Sequence, residues 1–89
     1  MVESNCIVKF YADWCGPCKQ LAPVVERLTK ELGVTLVSVN IDENPELAQQ
    51  FGVRSIPAVF AIKDGAPVGS CLGNKSESDL RALFEKVVA

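Results

Sequence analysis

Two cysteines separated by Gly-Pro sit where an apolar run gives way to a helical pattern. This junction constrains the fold of the 89-residue chain more than any other feature. Cys6 to Ala12 is short, apolar and rich in β formers, which reads as a central strand. Asp13 to Gly16 is the turn out of it. Pro17 suits the first position of a helix, where a missing N–H costs nothing. The next segment carries Leu21, Val24, Val25, Leu28 and Leu32 at helical spacing, and Gly33 is placed to end the helix. Pro23 lies inside that helix and is expected to kink it.

The rest of the chain continues the alternation. Val34 to Ile41 reads as a second strand. Asn44 and Pro45 open a short helix, with Asn44 as its cap, and Gly52 ends it. A third strand follows Pro57 within Ile56 to Lys63. Asp64-Gly65 is a hairpin signal, so Pro67 to Leu72 is expected to pair antiparallel with that strand. Ser76 and Asp79 make a capping pattern for a last helix with Leu80, Leu83, Phe84, Val87 and Val88 on its apolar face. The order β-α-β-α-β-β-α predicts an α/β fold. Its first two strands are parallel, and the whole is a four-stranded mixed sheet with helices on both faces. One domain over residues 1–89 is expected, burying roughly 60–65% of the unfolded surface.

Composition excludes several classes of function. The chain is 48% hydrophobic and 22% charged, as for an ordinary globular protein. Its net charge is −2, and the nine basic residues are scattered, so a nucleic-acid partner is not expected. No apolar run approaches the roughly 20 residues that span a bilayer. Met1 to Asn5 lacks the basic start and apolar stretch of a signal peptide, so a cytoplasmic location is expected.

Four cysteines in a reducing compartment call for a redox reading of the Cys-x-x-Cys pair. The first N–H groups of a helix are unpaired and favour negative charge. A thiol there ionises more readily and attacks disulfides near neutral pH. Cys15 is expected at the helix start, facing solvent, as the nucleophile. Cys18, one turn on and more buried, is expected to resolve the mixed disulfide and release the reduced substrate. Gly16 would permit a tight turn between them and Pro17 would stiffen it. Two other readings stay open. A zinc site would need further ligands, but the chain has no histidine, and Cys6 and Cys71 each fall in a predicted strand. A purely structural disulfide would serve no evident packing need at a helix mouth. Cys6 and Cys71 read as small, buried, inert residues.

From Ile7 to Val88 the sequence resembles the thioredoxin family. The resemblance is carried by Phe10-Tyr11-Ala12-Asp13-Trp14-Cys15-Gly16-Pro17-Cys18-Lys19, by Leu21-Ala22-Pro23 and by Asn40-Ile41-Asp42-Glu43-Asn44-Pro45. Phe51-Gly52-Val53-Arg54-Ser55-Ile56-Pro57-Ala58, Lys63-Asp64-Gly65 and Leu72-Gly73 extend it. The resemblance implies a protein-disulfide reductase with a redox-active Cys15–Cys18 disulfide, acting in electron transport and cell redox homeostasis. It implies no bound metal or cofactor, and NADPH dependence only through thioredoxin reductase. Disulfide-bonded proteins would be the substrates and a monomer the working state. Pro57 matches the family's cis-proline, and Trp14, Gly16, Pro17, Ile56, Pro57 and Gly73 match the substrate-binding surface.

Two departures stand out. The family usually begins with one more strand and helix, so one face and one edge of the sheet are expected to be less covered and stability reduced. The family's buried Asp on the first strand here is Lys9, and its matching Lys on the neighbouring strand is Ser38. Lys9 is the candidate for a rearranged proton relay with Cys18. The simpler expectation is that it snorkels to solvent across the less covered face. Two other functions compete: a glutathione-driven, glutaredoxin-like reductant, and a non-enzymatic docking module in which Cys15 would be dispensable.

Overall fold

Residues 5–73 and 75–88 are described by the computed structural model. Strand β1 (Cys6–Tyr11) is buried over its first five residues, because the sheet is covered on both sides of it. It pairs in parallel with β2 (Leu36–Asn40) and antiparallel with β3 (Ala58–Lys63). Strand β4 (Ala66–Leu72) pairs antiparallel with β3, giving the order β2-β1-β3-β4. The expected mixed sheet is therefore present, with β1 and β3 central.

Alternation along β1 divides the core. Ile7, together with Val59 and Ala61, faces helices α1 (Gly16–Leu32) and α3 (Glu77–Val88). There it meets Leu21, Val25 and Leu28 of α1 and Leu80, Leu83 and Phe84 of α3. Cys6, Val8 and Phe10 face the other way, toward α2 (Pro45–Gln50) and its Ala48. On that side the rings of Phe10, Phe51 and Phe60 lie 5.1–5.6 Å apart in tilted or edge contacts. Such pairs are each worth about 0.5–1.5 kcal/mol beyond their buried area.

Several local expectations are met by visible causes. Asp64 and Gly65 both take positive φ, 56° and 81°, the pair a type I′ hairpin needs. Gly33 ends α1 at φ 70°, where a side chain would be strained. The Ser76 hydroxyl accepts the Asp79 N–H at 3.3 Å and caps α3.

Others are corrected. Helix α1 starts at Gly16, one residue early, because Cys15 itself is the cap. Strand β2 is shorter than the apolar run that suggested it. Asn44 stands at the cap position of α2 but makes no side-chain cap bond; its amide donates to the Asn40 carbonyl instead. Cys6 is fully buried, but Cys71 is only half-buried; burial pushes its thiol up, and Asp79 adds to this. The reading of Met1 to Ser4 as free of a leader falls outside the described residues.

Helices α1 and α3 are also joined across their exposed sides. Arg27 bonds Glu77, and Arg81 reaches Glu31 at 2.6 Å and Glu77 at 3.5 Å. The hydrogen bond from Arg27 holds the Glu77 carboxyl below its ordinary range. A carboxyl lowered by folding adds stability above its unfolded pKa, and that stability disappears as pH falls through the folded value. Glu77→Gln is therefore expected to lower the melting temperature at neutral pH, with wild type and variant converging as the pH falls through the folded value of the carboxyl. Melting curves across pH check this; a difference that persisted undiminished in acid would refute the assignment.

Candidate active site

Strand β1 ends at Tyr11, and the chain turns through Ala12, Asp13 and Trp14 to reach the mouth of α1. Cys15 is held there in extended conformation, φ −88° and ψ 105°, as the helix cap. Its sulfur accepts the Cys18 N–H at 3.1 Å, so a helix N–H that has no carbonyl partner points at this sulfur. The same turn of helix brings the two Cα atoms to 5.3 Å, and Cys15 and Cys18 form a disulfide. Pro17 occupies the second helical position, where it forfeits no internal bond.

Gly16 differs from expectation. It lies within the helix, without positive φ, so the turn does not require its backbone freedom. A Cβ there would meet nothing within 4 Å. Cys15 also differs. It is 4% exposed and Cys18 3%, so both are buried and Cys15 does not face solvent in the disulfide form. The pair packs with Ala12, and Tyr11, Ile41 and Ile56 pack against this cluster.

The other candidate residues converge on the same end of the sheet. Ile56 packs against the cysteine cluster, and the Ile56–Pro57 bond is cis. The Pro57 carbonyl accepts the Gly73 N–H at 2.8 Å, which ties the loop before β3 to the end of β4. Gly73 takes φ 77°, a conformation that favours glycine at this join. Trp14 is 69% exposed, and its indole N–H donates to Asp42 at 2.9 Å. Trp14, Ile41, Val53, Arg54 and Ile56 line a groove of about 290 Å³, two of whose walls, Ile41 and Ile56, pack against the cysteine cluster. Asp42, Val53 and Arg54 are additions to the residues that the sequence singles out. Asp42 lies within the matched Asn40-Ile41-Asp42 segment, but its bond spans 28 residues and no local pattern announces it.

Lys9 is the sharpest correction. It lies on the α1 side of the sheet and does not snorkel; its side chain is only 7% exposed. Its ammonium is 4.0 Å from Glu26 and 5.6 Å from the centre of the Tyr11 ring. Together with Cys18 it lines a cavity of about 320 Å³ behind the disulfide.

A redox-active dithiol at a helix mouth on a mixed α/β sheet defines a thiol–disulfide oxidoreductase. The described residues contain no group of three or more His, Cys, Asp or Glu able to hold a metal ion. A family model, Thioredoxin, matches residues 2–86. Thioredoxin of Bacillus subtilis is 42% identical over 86 residues, covering 94% of this chain and 83% of that one. Thioredoxin of Chlamydia muridarum is 47% identical, covering 90% and 79% respectively. Among solved structures, a mutant thioredoxin from Halobacterium salinarum superposes with a TM-score of 0.90 at 37% identity, covering 98% of this chain and 77% of that one. The chain belongs to the thioredoxin family.

The Trp14–Asp42 bond generates a prediction. Asp42→Ala frees the indole, and KM for a protein disulfide is expected to rise roughly twofold to tenfold, the reach of a bond worth about 0.5–1.5 kcal/mol, with kcat little changed. Steady-state kinetics and tryptophan emission check this; an unaltered KM would remove Trp14 anchoring from the account of substrate binding.

Proposed function

We propose that the chain is a single-domain, general protein-disulfide reductase in which Cys15 attacks and Cys18 resolves. The observation that carries this reading is the Cys18 N–H donated to the Cys15 sulfur at the mouth of α1. In the reduced protein the same N–H and the helix dipole favour a Cys15 thiolate. That thiolate displaces one sulfur of a substrate disulfide and forms a mixed disulfide. Cys18 then attacks Cys15, the substrate leaves as a dithiol, and the Cys15–Cys18 disulfide of the present structure forms.

Trp14, Gly16, Pro17, Ile56, Pro57 and Gly73 form the substrate-binding surface in this reading. An extended segment would lie along the groove between Trp14 and Ile56. Thioredoxin reductase, and NADPH through it, would return the pair to the dithiol. Such a pool is maintained in the cytoplasm, which is the proposed setting. A monomer is the proposed working state. No helix among the described residues is long and apolar enough to cross a membrane.

The test is NADPH oxidation with thioredoxin reductase and a disulfide-bonded protein, beside an arm with glutathione and glutathione reductase. Turnover is expected in the first arm and is expected to vanish in Cys15→Ser. Cys18→Ser is expected to accumulate the mixed disulfide on Cys15. Turnover confined to the glutathione arm would place the protein with glutaredoxin-like reductants instead. Inactivity in both arms would favour a docking module.

A further inference from the structure

A buried ammonium that lines the same cavity as the resolving cysteine has no part in the reading above. Lys9 sits on the central strand, opposite Ser38 on β2 and Val59 on β3. Residues 18, 22 and 26 form one stripe along α1, placing Cys18, Ala22 and Glu26 over it. The small Ala22 and Ser38 leave the 320 Å³ cavity between Lys9 and Cys18 unfilled.

Lys9 is not explained as a stabilising ion pair. Its contact with the Glu26 carboxylate is at 4.0 Å, and the Glu26 side chain is 64% exposed. An ammonium taken out of water needs closer and drier partners than this to recover its desolvation cost. Burial lowers the Lys9 pKa, and the Glu26 carboxylate partly offsets this. A cation held behind a thiol favours the thiolate, and burial leaves that field poorly screened.

The other groups facing Cys18 can be named by element. Tyr11 comes from β1 with Lys9, Asp13 from the turn, and Lys19 and Glu26 from α1; β2 contributes the neutral Ser38, and the Pro57 loop the neutral Ile56. Asp13 and Lys19 are exposed, so water screens them.

We propose that the Lys9 ammonium holds the Cys18 thiol partly ionised in the resolving step, with Glu26 damping that field. The proposal rests on the dithiol reading. Cys18 Sγ–H gives its proton to solvent through the cavity mouth, which exposed Ser38 and Glu26 border. The thiolate attacks Cys15 Sγ in the mixed disulfide. The Cys15–Cys18 bond forms, the bond to the substrate sulfur breaks, and that sulfur leaves as a thiolate and takes a proton from water. Lys9 exchanges no bond and no proton; it is a positioning residue that acts through Cys18.

The experiment uses the aromatic disulfide DTNB and stopped-flow detection of its coloured thiolate. A Cys71→Ser background removes the half-buried thiol, and Cys6 is fully buried. The first thiolate released reports attack by Cys15; the second reports Cys18 resolving the mixed disulfide. Lys9→Met is expected to raise the pH midpoint of the second phase by about one pH unit, slowing it roughly tenfold at pH 7. The first phase is expected to stay within about twofold of the parent. Lys9→Arg is expected to restore the second phase, since it restores the charge. Glu26→Gln, an exposed change that spares folding, is expected to lower the midpoint. Midpoints that do not move would overturn the proposal. A midpoint raised by Glu26→Gln would overturn it too, because the proposal has that carboxylate opposing the Cys18 thiolate; so would a Lys9→Arg variant as slow as Lys9→Met, because arginine keeps the charge but cannot take the Cys18 proton. A parent with no first phase would instead refute the dithiol reading, and the role of Lys9 with it.

Discussion

Burial of β1 on both faces is the constraint on which the rest depends. A strand covered from both sides has one register, because a slip of one residue would exchange Ile7 and Lys9 with Val8 and Phe10 across the sheet. Its pairing with β2 and β3 therefore sets where Tyr11 ends. The turn from Tyr11 to Cys15 is short and starts from that fixed point. The helix mouth inherits the precision of the core, and a cysteine there is positioned by the whole sheet.

The same alternation gives the site its two sides. Residues pointing one way build the aromatic cluster of Phe10, Phe51 and Phe60, which shares a core with Leu47 and Ala48 of α2. Residues pointing the other way are apolar at Ile7 and charged at Lys9, so the α1 face changes character as β1 approaches the disulfide. Substrate recognition draws on the outer rim at Trp14, Ile56 and Gly73. The control proposed for Cys18 draws on the inner cavity. The two reach the disulfide from opposite sides, and a change in one can leave the other in place.

Much of this was legible in the residues. The Cys15–Cys18 spacing announced a dithiol because a helix turn brings positions three apart into bonding range. The element order followed from short-range rules: Asp64-Gly65 for the hairpin, Gly33 for a helix end, Ser76 for a cap. Structure and local pattern part where a local rule meets a longer-range competitor. Asn44 is a good capping residue, but the Asn40 carbonyl took its amide. A helix start by itself suggests an exposed Cys15, yet Tyr11, Ile41 and Ile56 from three separate segments pack against the cysteine cluster.

By itself, the sequence determined the strands and helices, the sheet class and the redox chemistry, since periodicity, turn residues and a three-residue spacing act within a few positions of one another. Tertiary structure alone decided which side chains share the site. Trp14 found Asp42, Gly73 found Pro57, and Lys9 was enclosed behind Cys18 instead of reaching solvent. The physical reason is that exposure and electrostatic environment are set by what the rest of the chain stacks on a residue. A lysine on a strand has the same intrinsic preferences in every context, and its neighbours across the cavity decide what its charge does.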